Sequence, residues 1–262
     1  MRLDQYLVAK GYFESRNKAS SSVKEGNFTV DGKRVFKPSF EVSESAVVAG
    51  SPKFNYVARS AHKLLQAFSC FSLCWENMTA ADLGASTGGF CQVLLEKGIK
   101  KVYAVDIGTA QLHPSIKADP RIVNMEHTNA RSIKSDAFSE PIDVITADLS
   151  FISVKLVLPA VYDTLRTGGE AIVLIKPQFE AGPSLLSKSG VVTDRKVHLR
   201  IITDVADFSQ QLGFGVCGLA FSGLSGESGN REYFMYLKKD AETTVSLSFA
   251  AQNAVNTEEY HA

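Results

Sequence analysis

The stretch TAADLGASTGGF, residues 79–90, constrains the fold more than any other part of the chain. An apolar, β-prone run ends at Leu83 and passes straight into Gly84, Ser86, Thr87, Gly88 and Gly89, so a buried strand must turn sharply. Glycine adopts backbone angles that other residues avoid, and it lets the backbone come close to a ligand or a neighbouring segment. The pattern beyond the turn is helical, which places a helix N-terminus and its free N–H groups there. Further β-prone runs at 102–105, 122–125, 144–147 and 171–175 alternate mostly with helical patterns and predict a parallel, doubly wound sheet. After a helix over Lys196–Leu212, the runs Gly215–Phe221 and Tyr233–Leu237 are joined only by a short polar, glycine-rich loop, which requires an antiparallel pair. The expected class is α/β, a mostly parallel sheet ending in an antiparallel C-terminal hairpin.

At 262 residues, 45% hydrophobic and 21% charged, the chain is expected to build a sizeable core rather than a disordered, collagen-like or coiled-coil structure. No apolar run approaches the roughly 18 residues of a spanning helix, and MRLDQYLVAKGYF lacks a secretory signal, so a cytoplasmic protein without stable membrane insertion is expected. Cys70, Cys74, Cys91 and Cys217 are too few and too irregular for a disulfide framework. Neither they nor His62, His113, His127, His198 and His261 show metal-ligand spacing, and no metal is expected.

The 28 basic and 28 acidic residues cancel overall but not locally. Residues 1–60 hold ten Lys/Arg against six Asp/Glu, and the segment from residue 240 onward holds four acidic residues and no basic ones. Within the basic end, Leu3, Tyr6 and Leu7 fall at helical spacing before Gly11, Ser15 can cap a second helix ending at Gly26, and Asp31-Gly32 fits a two-residue hairpin turn. This order, with RLDQYL, SRNKA and EGNFTVDGKRV, resembles the small α+β RNA-binding module of a ribosomal small-subunit protein, shared by pseudouridine synthases and tyrosyl-tRNA synthetases. The resemblance implies that Arg2, Arg16, Lys18, Lys24, Lys33 and Arg34 face RNA; each alone also fits a solvated surface. The expected organisation is a module at 1–48, a turn-rich linker at 49–59, a main domain at 60–240 and a loosely ordered tail at 241–262.

Asp106 ends the second strand of the main domain, 24 positions after Asp82. A carboxylate there can accept hydrogen bonds from ribose hydroxyls, so turn and carboxylate together point to a nucleoside-containing cofactor. The glycine spacing departs from the dinucleotide pattern. With Asp82 just before the turn, it suits S-adenosylmethionine, which carries a cationic sulfonium and no pyrophosphate. The expected cofactor contacts are Asp82, Gly84, Ser86, Thr87, Gly88, Gly89, Asp106, Ile107 and Asn129; Asn129 reads equally well as a loop cap.

Ligands of open parallel sheets bind beyond the carboxyl ends of the strands, where Asp148 and Lys176 fall. Lys63 lies in a helical stretch before the first of these strands, and Glu232 begins the last one. RSAHKL, ADLGASTGGF, ADLSF, IKPQFE and GNREYF resemble the TlyA family and, more broadly, the FtsJ-like RNA 2′-O-methyltransferases. The resemblance implies a class I, Rossmann-like methyltransferase domain, a Lys63-Asp148-Lys176-Glu232 tetrad and S-adenosylmethionine as cofactor. It also implies methylation of a cytidine ribose in 16S and, for some members, 23S ribosomal RNA. A ribose hydroxyl is a weak nucleophile that needs help losing its proton, which a lysine can give as base or by stabilising the alkoxide. Lys176 is assigned that part, Lys63 polarises the same hydroxyl, and the two carboxylates hold the lysines. Rival readings are a non-catalytic RNA-binding or ribosome-assembly protein, a nicotinamide-dependent oxidoreductase, and a haemolysin-like membrane-active protein. The last predicts a basic amphipathic or spanning helix that the sequence lacks.

Overall fold

Asp31 and Gly32 both adopt left-handed backbone angles, φ 50° and 77°, which matches the twist of a tight hairpin and pairs β1 (Phe28–Val30) with β2 (Lys33–Val35). Preceding them are α1 (Leu3–Ala9) and α2 (Arg16–Lys24). The helices bury Leu3, Leu7, Ala19 and Val23 against Phe28, Val30 and Val35 of the hairpin. A third strand, β3 (Val48–Gly50), pairs antiparallel with the other edge of β1, and thus extends the sheet two residues past the expected limit of the module. Gly50 is required there because a Cβ would lie 2.4 Å from the Asn27 carbonyl oxygen. The computed structural model describes residues 1–13, 15–24, 26–43, 46–50, 56–224, 226 and 229–258. Five residues of the expected linker, 51–55, therefore lie outside the described residues, as does the end of the tail. The chain divides into two compact units, Met1–Tyr56 and the portion from Val57 onward.

The second unit opens with α3 (Ser60–Phe71), then β4 (Thr79–Leu83), α4 (Gly89–Glu96), β5 (Lys101–Val105), the short α5 (Pro114–Lys117) and β6 (Ile122–Met125). It continues through β7 (Ile142–Ala147), α6 (Leu158–Thr164), β8 (Leu165–Ile175), the one-turn α7 (Pro177–Glu180), α8 (Arg195–Gln211), β9 (Phe214–Phe221), β10 (Tyr233–Lys239) and α9 (Leu247–Asn256). Strand order is β6-β5-β4-β7-β8-β10-β9, parallel as far as β8, with β10 antiparallel to both of its neighbours. All five residues of β4 are buried, as expected of a central strand covered on both faces. The order reverses at β4, so the connections leaving β4 and β7 diverge and open a crevice at their carboxyl ends.

The tail differs from expectation. Ala251, Ala254 and Val255 form a narrow stripe on α9 that is buried in the main core beside α8 and β9. Their small side chains gave only a faint periodic pattern, but small residues let a helix pack closely on its neighbours. β8 also begins six residues before the apolar run that marks it, because Leu165 pairs with Ile142 ahead of the register shift.

Candidate active site

The two lysines and two carboxylates form one chain of contacts. Lys63 lies on the inward stripe of α3 with Ala61, Leu64, Ala67 and Phe68. Its ammonium donates to Glu232 Oε2 at 2.6 Å and lies 3.8 Å from Asp148 Oδ2. Asp148 continues the β7 ladder, its N–H bonded to Leu83 O at 3.1 Å, and its Oδ1 is 2.6 Å from Lys176 Nζ. Lys176 directly follows β8, before Pro177 opens α7, and its ammonium also donates to Ser150 Oγ at 2.9 Å. Lys63 and Lys176 are each 8% exposed and Glu232 3%. Buried charges are tolerated only when paired, and each here has an opposite charge within reach.

Two glycines make this convergence possible. A Cβ at Gly84 would meet the Asp148 carbonyl oxygen at 2.6 Å, so the turn after β4 can press against the end of β7 only without a side chain. A Cβ at Gly226 would lie 2.5 Å from Glu232 Oε1, so this glycine leaves room for the carboxylate.

The tetrad lines a cavity of about 700 Å³, with Arg59, Ser60, Thr87, Gln178, Phe179 and Asn230 among its walls. A second cavity of about 560 Å³ holds Asp106, Ile107, Thr128, Asn129, Arg131 and Leu149. Gly84, Ser86, Asp148, Ser150 and Phe151 line both, so the two spaces meet at the tetrad. Asp106 accepts from Ser86 N at 2.8 Å and Gly108 N at 2.7 Å, which braces the glycine turn and leaves about two of its acceptor positions for a ligand. The Asn129 side chain accepts from Arg131 N at 3.0 Å, so it caps its own loop while facing the second cavity. An acceptor carboxylate, apolar walls at Ile107, Leu149 and Ile152, and a second carboxylate at the junction fit a nucleoside carrying a cationic sulfonium.

Three expected cofactor contacts, Asp82, Gly88 and Gly89, line neither cavity. Asp82 is 1% exposed: its carboxylate accepts from Thr146 Oγ1 at 2.8 Å and Cys91 Sγ at 3.1 Å, tying β4 to β7 and α4 beneath the turn. Burial, together with nearby Asp148 and Asp106, pushes its carboxyl up to about 6 against the opposing hydrogen bonds. Gly88 and Gly89 serve packing. A Cβ at Gly88 would strike Leu112, and one at Gly89 would lie 2.4 Å from Ser60 Oγ, which brings the start of α4 against α3. In the first unit Arg2 and Arg16 both bind the buried Asp4, at 2.9 and 3.3 Å, and Arg16 stays exposed, as do Lys18, Lys24, Lys33 and Arg34.

Sequence reasoning missed Ser150 and an aromatic pair. Phe151 is 92% exposed at φ 64°, and its ring lies 5.3 Å from that of Phe179. Each follows a tetrad member by three positions, in Asp148-x-x-Phe151 and Lys176-x-x-Phe179, and that repeated spacing was the available signal. Among the described residues no group of side chains could hold a metal, and no helix is long and apolar enough to cross a membrane.

Residues 56–239 match the FtsJ-like methyltransferase family and residues 1–48 the S4 domain. The chain is 39% identical over 248 residues to the 16S/23S rRNA (cytidine-2′-O)-methyltransferase TlyA of Mycobacterium tuberculosis, covering 94% of this chain and 92% of that one. It is 34% identical over 260 residues to the 23S rRNA (cytidine-2′-O)-methyltransferase TlyA of Campylobacter jejuni, covering 92% of this chain and all of the relative. A solved structure of a hemolysin-named protein from Streptococcus thermophilus superposes with a TM-score of 0.75 at 36% identity, over 97% of this chain and 94% of the other. The chain therefore belongs to the FtsJ-like methyltransferases, in the TlyA branch that carries an S4 domain, and its methyl donor is S-adenosylmethionine.

Proposed function

We propose that the protein methylates the ribose 2′-hydroxyl of a cytidine in ribosomal RNA, with 16S RNA as substrate and 23S RNA as a second one. The observation that carries this reading is the tetrad at the junction of two cavities, one suited to the donor and the other open to an incoming nucleotide. The names of the relatives support cytidine and the ribose oxygen. Work on ribosomal RNA would place the protein in the cytoplasm.

S-adenosylmethionine supplies an electrophilic methyl group. Asp106 would hold its ribose hydroxyls, Ile107 and Asn129 its adenine, and Gly84, Ser86 and Thr87 the remainder. Lys176 is assigned as the group that takes the proton of the 2′-hydroxyl, and Lys63 as the one that polarises and orients the same oxygen. Asp148, between the two amines, and Glu232, behind Lys63, fix both lysines in place, so the approach to the methyl carbon is set before reaction. Such positioned proton transfer is worth roughly 10²–10⁴-fold in rate. Phe151, exposed beside Phe179 on the rim, offers a ring on which the base of an unstacked nucleotide can lie. Lys18, Lys24, Lys33 and Arg34 would hold the phosphate backbone, and Arg2 and Arg16 would contribute the N–H groups that Asp4 leaves over.

The test is transfer of labelled methyl from S-adenosylmethionine to purified ribosomal subunits and to their deproteinised RNA, with the product mapped by mass spectrometry. A 2′-O-methylcytidine made by the wild type and lost in Lys176→Ala supports the assignment. Label on a base would overturn it, and RNA binding without transfer would favour the assembly-protein reading.

A further inference from the structure

One wall of the tetrad cavity has no part in the roles above. It lies between α7 and α8, where Leu186, Ser189 and Gly190 face the cavity. Its centre is a tight turn: Ser187 N donates to Val191 O at 2.9 Å, Gly190 N to Ser187 O at 2.9 Å, and Val191 N to Ser187 Oγ at 3.0 Å. Lys188 stands exposed at the tip, and no carboxylate pairs with it among the described residues.

Exposed turns are ordinarily mobile, yet buried side chains hold this one. Asn230, 1% exposed, accepts from Val192 N at 3.1 Å and donates to Gly190 O at 3.1 Å. His198 Nε2 donates to Val192 O at 2.8 Å, and Tyr233 Oη donates to His198 Nδ1 at 3.0 Å. Val192 is thus gripped through both its N–H and its carbonyl. Burial holds the His198 pKa down, and the neutral imidazole, with one nitrogen donating and the other accepting, is the form this arrangement needs. Asn230 precedes Glu232 by two residues, so the clamp ties the turn to the segment that carries this one tetrad member.

We propose that the clamp presents Lys188 to a backbone phosphate of the RNA strand beside the methylated nucleotide, with Asn230 and His198 as positioning residues. This rests on the RNA-methylation reading above. An ammonium is a compact charge with three donors, suited to phosphate rather than to a base edge. Holding it in place beforehand removes part of the ordering cost of binding.

The experiment measures binding of the full-length protein to deproteinised 16S and 23S RNA between about 50 and 200 mM salt. Lys188→Ala should bind roughly two- to fivefold more weakly at low salt, the scale of one exposed ion pair. The slope of log affinity against log salt should be shallower by about 0.7, with cofactor affinity and melting temperature unchanged. Lys188→Arg should restore the slope. Asn230→Ala should reproduce the loss, and the double variant should be no worse than the weaker single one, since an unclamped lysine and a missing lysine are equivalent. Lys188→Ala disturbs no buried contact, so it carries the test even if Asn230→Ala fails to fold. An unchanged slope in Lys188→Ala, or losses that simply add, overturns the proposal. If the wild type transfers no methyl to either RNA, the functional reading fails and this inference with it; transfer with an unchanged Lys188→Ala slope overturns the Lys188 assignment alone.

Discussion

Lys63 and Glu232 stand 169 positions apart in the chain, yet Nζ and Oε2 meet at 2.6 Å with both side chains buried. The contact spans α3 and the start of β10, so it exists only once the sheet has assembled. Glu232→Ala would leave the Lys63 ammonium with only Asp148, at 3.8 Å. Removing one partner of a buried pair costs about 3–5 kcal/mol, and thermal unfolding of the variant should show a loss near the lower end because Asp148 remains. An unchanged melting temperature would mean that water reaches Lys63.

Lys176→Ala and Lys176→Arg separate two roles of one side chain. Alanine should lower kcat by about 10²–10⁴-fold while S-adenosylmethionine affinity, measured by calorimetry, stays near that of the wild type. Arginine keeps the charge but cannot accept a proton, so it should fail to rescue. Substantial activity in Lys176→Arg would make the residue an electrostatic stabiliser instead of a base.

Phe151→Ala tests the rim. Stacking of a base on an aromatic ring is worth about 1–3 kcal/mol, so KM for RNA should rise roughly tenfold or more. Cofactor affinity should change less, although the ring borders both cavities. An effect confined to cofactor binding would place Phe151 with the donor.

Asp82 should leave a mark on the pH dependence of stability. Its carboxyl is pushed up to about 6 by burial, above its value in the unfolded chain, so the folded state holds this proton more tightly. Its contribution therefore falls as pH rises from about 4 to about 6 and is level beyond, a loss on the order of 2–3 kcal/mol. Denaturant unfolding of Asp82→Asn across that window should lack the decline. If the variant follows the wild-type curve, the carboxylate stays charged throughout.

The alternation of apolar runs and helical patterns determined the sheet, its parallel strands and its closing hairpin, because strand and helix periods are properties of neighbouring residues. β4 and β6 follow their apolar runs residue for residue. The Asp31-Gly32 turn was legible for the same local reason, and the motifs carried the four tetrad residues. What the sequence left open depends on neighbours distant in the chain. Gly84, Ser86 and Asp82 share one short motif, yet the first two line a cavity and the third is sealed beneath it by Thr146 and Cys91. Asp4 claims two of the expected RNA-facing arginines, and α9 docks through residues too small to announce a core. Side-chain types and local periods fix which elements form; which atoms face the crevice is decided only when packing brings α3, β7, β8 and the start of β10 to one rim.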